Sequence, residues 1–132
     1  MRKEKPLNSE NIKVVKDYIS LEEVMNYMEC SSILLDIQKE NQEGLSFRVF
    51  EALGYEKKLI TTNKDIVNYD FYNPNNILII DRENPHIPKT FLNTSYSTVS
   101  ENIIKKYRRE SWIQQVFGIS KFDEPHQSSK AL

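Results

Sequence analysis

Apolar positions in this chain switch between two periods, and the switches mark out its elements. Ile12, Val14, Val15, Tyr18 and Ile19 are close enough together to predict a strand and its exit. Ser20 then stands three residues before Glu23, the spacing of a capping box. A helix over 21–30 follows, with Leu21, Val24, Met25 and Met28 at helical spacing and expected to fill core. Residues 32–37 form a short, nearly continuous apolar run, Ser-Ile-Leu-Leu-Asp-Ile, which predicts a strand buried on both faces, as in a parallel sheet. A polar stretch over 38–44 ends in Gly44 and predicts a loop.

The second half repeats the alternation. A helix is predicted over 46–54, with Ser46 as N-cap, Leu45, Val49, Phe50 and Leu53 as its apolar stripe, and Gly54 as its stop. Residues 58–61 predict a strand and residues 63–69 a short helical turn. Tyr72-Asn73-Pro74-Asn75-Asn76 is turn chemistry, and residues 76–80 predict another buried strand. A loop carrying Pro85 and Pro88 leads to the longest helical pattern, residues 98–117, closed by Gly118. The alternation of strands and helices predicts an α/β fold: a Rossmann-like, mainly parallel sheet of about four strands with flanking helices. One domain is expected over 11–118, with flexible termini at 1–10 and 119–132.

Composition narrows the function classes. The 132 residues carry 39% hydrophobic and 28% charged residues, with a formal net charge of −1. That balance gives no general attraction to nucleic acid, so no nucleic-acid partner is expected. No apolar run approaches the roughly 18 residues that would span a bilayer, and the charged N-terminus lacks an apolar core of the secretory kind. With Cys30 as the single cysteine, no disulfide can close within the chain, and a cytoplasmic setting is the simpler expectation. Cys30 itself is expected to be a small buried side chain. His86 and His126 lack partners at ligand spacing, so no metal site is predicted, and His86 is expected in a loop.

Chemistry concentrates between the strand at 32–37 and the helix at 46–54. In open parallel sheets, ligands sit beyond the carboxyl ends of the strands, where helix N-termini offer unpaired N–H groups. Gly44 permits close backbone approach, Ser46 offers a hydroxyl, and Arg48 could neutralise phosphate. Glu51, an acceptor-only group, could take both hydroxyls of a ribose. The plainer alternative is that Arg48 and Glu51 form an ordinary i,i+3 ion pair. Lys105, Lys106, Arg108 and Arg109 form a basic cluster, read first as a solvated helix face. A contact with acidic lipid or a phosphorylated acceptor is its second reading.

The segment Glu43-Gly44-Leu45-Ser46-Phe47-Arg48-Val49-Phe50-Glu51-Ala52-Leu53-Gly54 resembles the donor-site motif of two-domain GT-B glycosyltransferases. Glu43 and Glu51 have the separation of the family's two glutamates. With Lys57-Lys58-Leu59-Ile60-Thr61-Thr62-Asn63 and Tyr69-Asp70-Phe71-Tyr72-Asn73-Pro74-Asn75-Asn76 behind it, the segment is similar to bacterial proteins of lipopolysaccharide core or capsular polysaccharide biosynthesis. The similarity spans roughly residues 11–117. It differs in having Tyr55-Glu56-Lys57-Lys58 where many members have a Gly-x-Pro turn.

The resemblance implies a partial GT-B C-terminal domain and a metal-independent site, in line with the absence of an Asp-x-Asp motif. It implies that Glu51 takes the donor ribose and that Glu43 lies near the transferred sugar. Gly44, Ser46, Phe47 and Arg48 would face the diphosphate. The implied partners are a nucleotide diphosphate sugar as substrate, with no separate cofactor, and a saccharide or lipid-linked saccharide acceptor at the inner face of the membrane, with peripheral membrane contact. The chain would correspond to part of such an enzyme, inactive alone. The strand at 12–16 would then pair directly with that at 32–37, or the sheet would be completed by another copy in a homo-oligomer. The alternative is a non-catalytic α/β nucleotide-binding or interaction module. A receiver-like domain fits the alternation but needs an acidic cluster at strand ends, where only Asp36 and Asp81 are candidates.

Overall fold

The structure, a computed structural model, describes residues 14–108 and 111. The chain divides into two compact units, Met1–Ser31 and Ser32–Leu132.

The described part of the first unit is one helix and the segment leading into it. Residues 14–20 form no strand, in contrast to the expectation for 12–19. Helix α1 spans Leu21–Cys30 and starts at the expected capping box: the Glu23 N–H donates to Ser20 Oγ at 3.3 Å, and Glu23 Oε2 accepts from the Ser20 N–H at 3.0 Å. Met28 is buried, but Leu21 and Met25 are exposed, so the apolar stripe does not act as core throughout. Cys30 is exposed, not buried. Local capping, with Glu22 and Glu23 in the first turn against the helix dipole, accounts for this helix better than burial does.

The second unit is an α/β layer structure. Strands β1 (Ile33–Asp36), β2 (Lys58–Thr61) and β3 (Ile77–Ile79) form a three-stranded sheet in the order β1-β2-β3. Both pairings are parallel, in agreement with the fold class, and the strand expected at 12–16 is not among them. The register places Leu34, Leu59 and Ile77 in one row, and Leu35, Ile60 and Leu78 in the next. Successive rows point to opposite faces. The first face carries the larger core. There, Val49, Ala52 and Leu53 of helix α2 (Phe47–Gly54) pack with Leu34, Leu59 and Ile77. Ile66 and Phe71, from the β2–β3 connection, join the same core. Helix α4 (Glu101–Lys106) adds half-buried Ile103 and Ile104.

The opposite face is more thinly covered. Ile60, Ile80 and Phe91 form a small cluster, with Phe91 supplied by a five-residue helix, α3 (Lys89–Asn93), that periodicity did not predict. Central β2 is buried along its whole length. Edge strand β1 is not buried on both faces as expected: Leu35 is 57% exposed, because it lies at the sheet edge on the thinly covered face.

Two terminations differ from expectation. Helix α2 ends at Gly54, but the left-handed residue that reverses the chain is Glu56, at φ 52°. The helical pattern over 98–117 starts only at Glu101 and is capped at Tyr107. The Tyr107 ring lies edge-on to Phe71 at 4.9 Å and stacks on Phe50 at 6.0 Å. Most of 109–117, like the two termini, lies outside the described residues.

Candidate functional site

Asp36 closes β1 with a buried side chain on the α2 face, opposite Thr61 in the register. A buried carboxylate requires partners, and Asp36 has two. Oδ1 accepts from Ser46 Oγ at 2.7 Å, and Oδ2 accepts from Thr61 Oγ1 at 2.9 Å. The network runs on through Thr61 Oγ1, which accepts the Asn63 N–H at 3.0 Å. Asn63, also buried, donates from Nδ2 to the Gly44 carbonyl at 2.9 Å, and its Oδ1 accepts the Asp65 N–H. Both ends of the loop between β1 and α2 are thereby tied to the end of β2. Gly44 adopts φ 75°, a conformation that suits glycine.

This network determines how α2 begins. Ser46 occupies the N-cap position with extended backbone, as expected, yet its hydroxyl points to Asp36, to which it donates, and makes no capping bond. The first N–H groups of a helix have no intrahelical acceptor. Those of Phe47 and Arg48 therefore start α2 without a side-chain cap, just past the carboxyl end of β1. The Phe47 side chain is 88% exposed at this helix start. Arg48 Nη1 pairs with Glu51 Oε2 at 3.0 Å, and both side chains are partly exposed. The ordinary i,i+3 pair is thus the observed state of these two residues. Glu43 is exposed in the loop.

The six expected site residues consequently share one stretch but not one cavity. An open cleft of about 310 Å³ lies at the carboxyl ends of the strands, and none of the six lines it. Its walls come from the loop over 38–42, from Thr62 and Lys64 after β2, and from Asp81 and Arg82 after β3. The expected placement of ligands beyond the strand ends pointed to the 38–42 wall, and Asp81 is one of two acids noted at strand ends. Its Oδ1 accepts the N–H groups of Glu83 and Asn84 at 2.9 Å, and these bonds, with Lys64 nearby, hold its carboxyl below the usual range. A core void of about 10 Å³ beneath α2 has room for one water at most.

Two further expectations concern charge. Lys106 pairs with Asp70 at 2.6 Å and Arg108 with Glu101 at 2.7 Å, so these cations of the basic cluster face carboxylates; Arg109 lies outside the described residues. His86 sits exposed in a loop, and His126 lies outside the described residues. No group of three or more metal-ligating side chains occurs among the described residues. No helix among them is long and apolar enough to cross a membrane.

Comparison of the chain with protein-family models, with curated proteins and with solved structures finds no match.

Proposed function

We propose that this chain is the nucleotide-sugar donor-binding part of a GT-B type glycosyltransferase that builds lipopolysaccharide or other cell-surface polysaccharide. The observation that carries the reading is the uncapped start of α2 beside Arg48, immediately after a parallel strand. The donor diphosphate lies against the Phe47 and Arg48 N–H groups and draws the Arg48 guanidinium toward itself, as positive helix ends and bidentate arginines do with phosphate. Release of Arg48 frees Glu51 to accept from the ribose hydroxyls. Glu43, in the loop before α2, reaches the sugar. The resemblance of residues 43–54 to the donor motif supports the same assignment. A saccharide or lipid-linked acceptor meets this donor at the inner face of the membrane.

The self-paired state of Arg48 and Glu51 favours a second reading, a non-catalytic α/β module that binds nucleotide without transfer. Titration with nucleoside diphosphates and nucleotide sugars, followed by backbone amide shifts, tests both. Donor binding shifts Gly44–Glu51, and Glu51→Ala weakens it by about tenfold, the loss of a charge-assisted hydrogen bond. Binding of nucleoside diphosphate with no gain from the attached sugar selects the module. Silence at 44–51 across the panel removes both.

A further inference from the structure

The cleft at the strand ends lies apart from the six residues of the α2 site. Its volume, about 310 Å³, is at the small end of ligand sites, which run from about 300 to 1,000 Å³. It accommodates a monosaccharide-sized molecule. Lys39, Lys64 and Arg82 outnumber Glu40 and Asp81 along its walls. Asp81 is already committed to the N–H groups of its own turn.

The width of the cleft is held by bonds that cross it. The Arg82 guanidinium donates from Nη2 to the Gln38 carbonyl, which ties the loop after β3 to the loop after β1. The Gln38 N–H donates to Thr62 Oγ1 at 2.9 Å, which ties the same loop to the end of β2. Gln38 Nε2 donates to the Gln42 carbonyl at 2.6 Å and braces the loop internally. Asn41 completes that wall in a left-handed conformation, φ 63°, which asparagine tolerates better than most residues. A guanidinium has five N–H donors, so Arg82 retains capacity after bonding Gln38. The Thr62 hydroxyl, an acceptor for Gln38, still has its own hydrogen to donate.

We propose that this cleft binds a phosphorylated monosaccharide or a polyol phosphate of that size. Lys64 and Arg82 take the phosphate, and the amides of Gln38 and Asn41 take sugar hydroxyls. The inference uses no residue of the donor site around α2, and either site can exist without the other.

The test is a titration of the full chain with glucose 6-phosphate, glucose and inorganic phosphate in parallel, read by amide shifts and calorimetry. Glucose 6-phosphate should shift residues 38–42, 62–64 and 81–82, and bind about tenfold tighter than either part alone, because both halves of the ligand are held. Lys64→Gln, at an exposed position that leaves the fold intact, should weaken it by about tenfold, the cost of one charge-assisted contact. Arg48→Gln should leave it unchanged. No shift at the cleft, equal affinity for phosphate alone, or equal sensitivity to Lys64→Gln and Arg48→Gln would each overturn the proposal. A nucleoside diphosphate titration read at residues 44–51 reports separately on the donor site.

Discussion

Ser46 Oγ donates to Asp36 Oδ1 at 2.7 Å, across ten residues of chain, in a rotamer that makes no capping bond at the start of α2. A serine at an N-cap position ordinarily accepts from the second or third helical N–H. Here the hydroxyl is turned toward a buried carboxylate, to which it donates and which Thr61 holds from the other side. Stability of the loop and availability of the helix N–H groups therefore come from the same bond.

A double-mutant cycle measures that coupling. Asp36→Ala leaves the Ser46 and Thr61 hydroxyls without their acceptor and should cost about 1–3 kcal/mol in urea unfolding. Ser46→Ala removes one bond from a buried charge and should cost roughly 1–2 kcal/mol. In the Asp36→Ala background Ser46 is free to cap α2, so Ser46→Ala there should still cost about 1 kcal/mol, now as a lost cap. A Ser46→Ala cost near zero in the Asp36→Ala background would show that the released serine does not cap α2 and would leave the cap argument without support.

Much of this arrangement follows from local signals, and the rest does not. The Ser20/Glu23 capping box, strand Lys58–Thr61 and the turn over 63–69 are set by neighbours within a few residues, and the structure carries them close to the expected bounds. The Asp36–Thr61 bond joins residues 25 apart and depends on strand register, which periodicity does not encode. The same limit hid the cleft, whose walls come from three separate loops. Helix α3 escaped notice because five residues behind Pro88, with Phe91 alone buried, make too short a pattern. The apolar spacing over 98–117 does not register the break at Tyr107, whose ring packs edge-on to Phe71 and whose hydroxyl donates to Asp70.

Glu56 sets a second prediction. A non-glycine residue in the left-handed region costs roughly 1–2 kcal/mol, whereas glycine adopts it freely. The Lys57 N–H donates to the Ala52 carbonyl at 2.8 Å, and this bond locks the turn around Glu56. Glu56→Gly should therefore stabilise the fold by about 0.5–1 kcal/mol, once the added flexibility of glycine in the unfolded chain is subtracted. A lower unfolding midpoint would show that the glutamate side chain contributes more than its backbone strain costs.

Lys58 predicts a local effect. It is 4% exposed, and burial lowers its pKa from 10.5. Its ammonium donates to the Thr94 carbonyl at 2.7 Å and to the Phe91 carbonyl, with the Phe91 ring 4.0 Å away. A five-residue helix does not hold itself together in water. Lys58→Met keeps the apolar stem but removes both donors, so hydrogen exchange at Leu92 and Thr94 should accelerate by about tenfold or more, as in local opening. Exchange in α2 should not change. Uniform acceleration throughout the second unit would mean that Lys58 supports the sheet and not α3 in particular.

Asp70 and Tyr107 predict how stability responds at both ends of the pH scale. Asp70 accepts from Lys106 Nζ at 2.6 Å and from the Tyr107 hydroxyl at 2.6 Å. The Lys106 bond, then the Tyr107 bond, lower its pKa from 3.8. A carboxyl with a depressed folded pKa stabilises above its unfolded value, and that contribution is lost as pH falls through the folded one. Acid loss through this group should therefore begin below about 3.8. The phenol behaves oppositely. Burial first, and then the Asp70 carboxylate that accepts its hydrogen, push Tyr107 from 10.0 up to about 12. Its contribution is complete below 10.0 and disappears as pH rises toward about 12. Unfolding midpoints measured across both windows should fall at each end, and Asp70→Asn should flatten the acid limb while reducing, but not abolishing, the alkaline one. Burial of the phenol survives that substitution, so an alkaline limb that vanishes with Asp70 would assign the whole effect to the hydrogen bond.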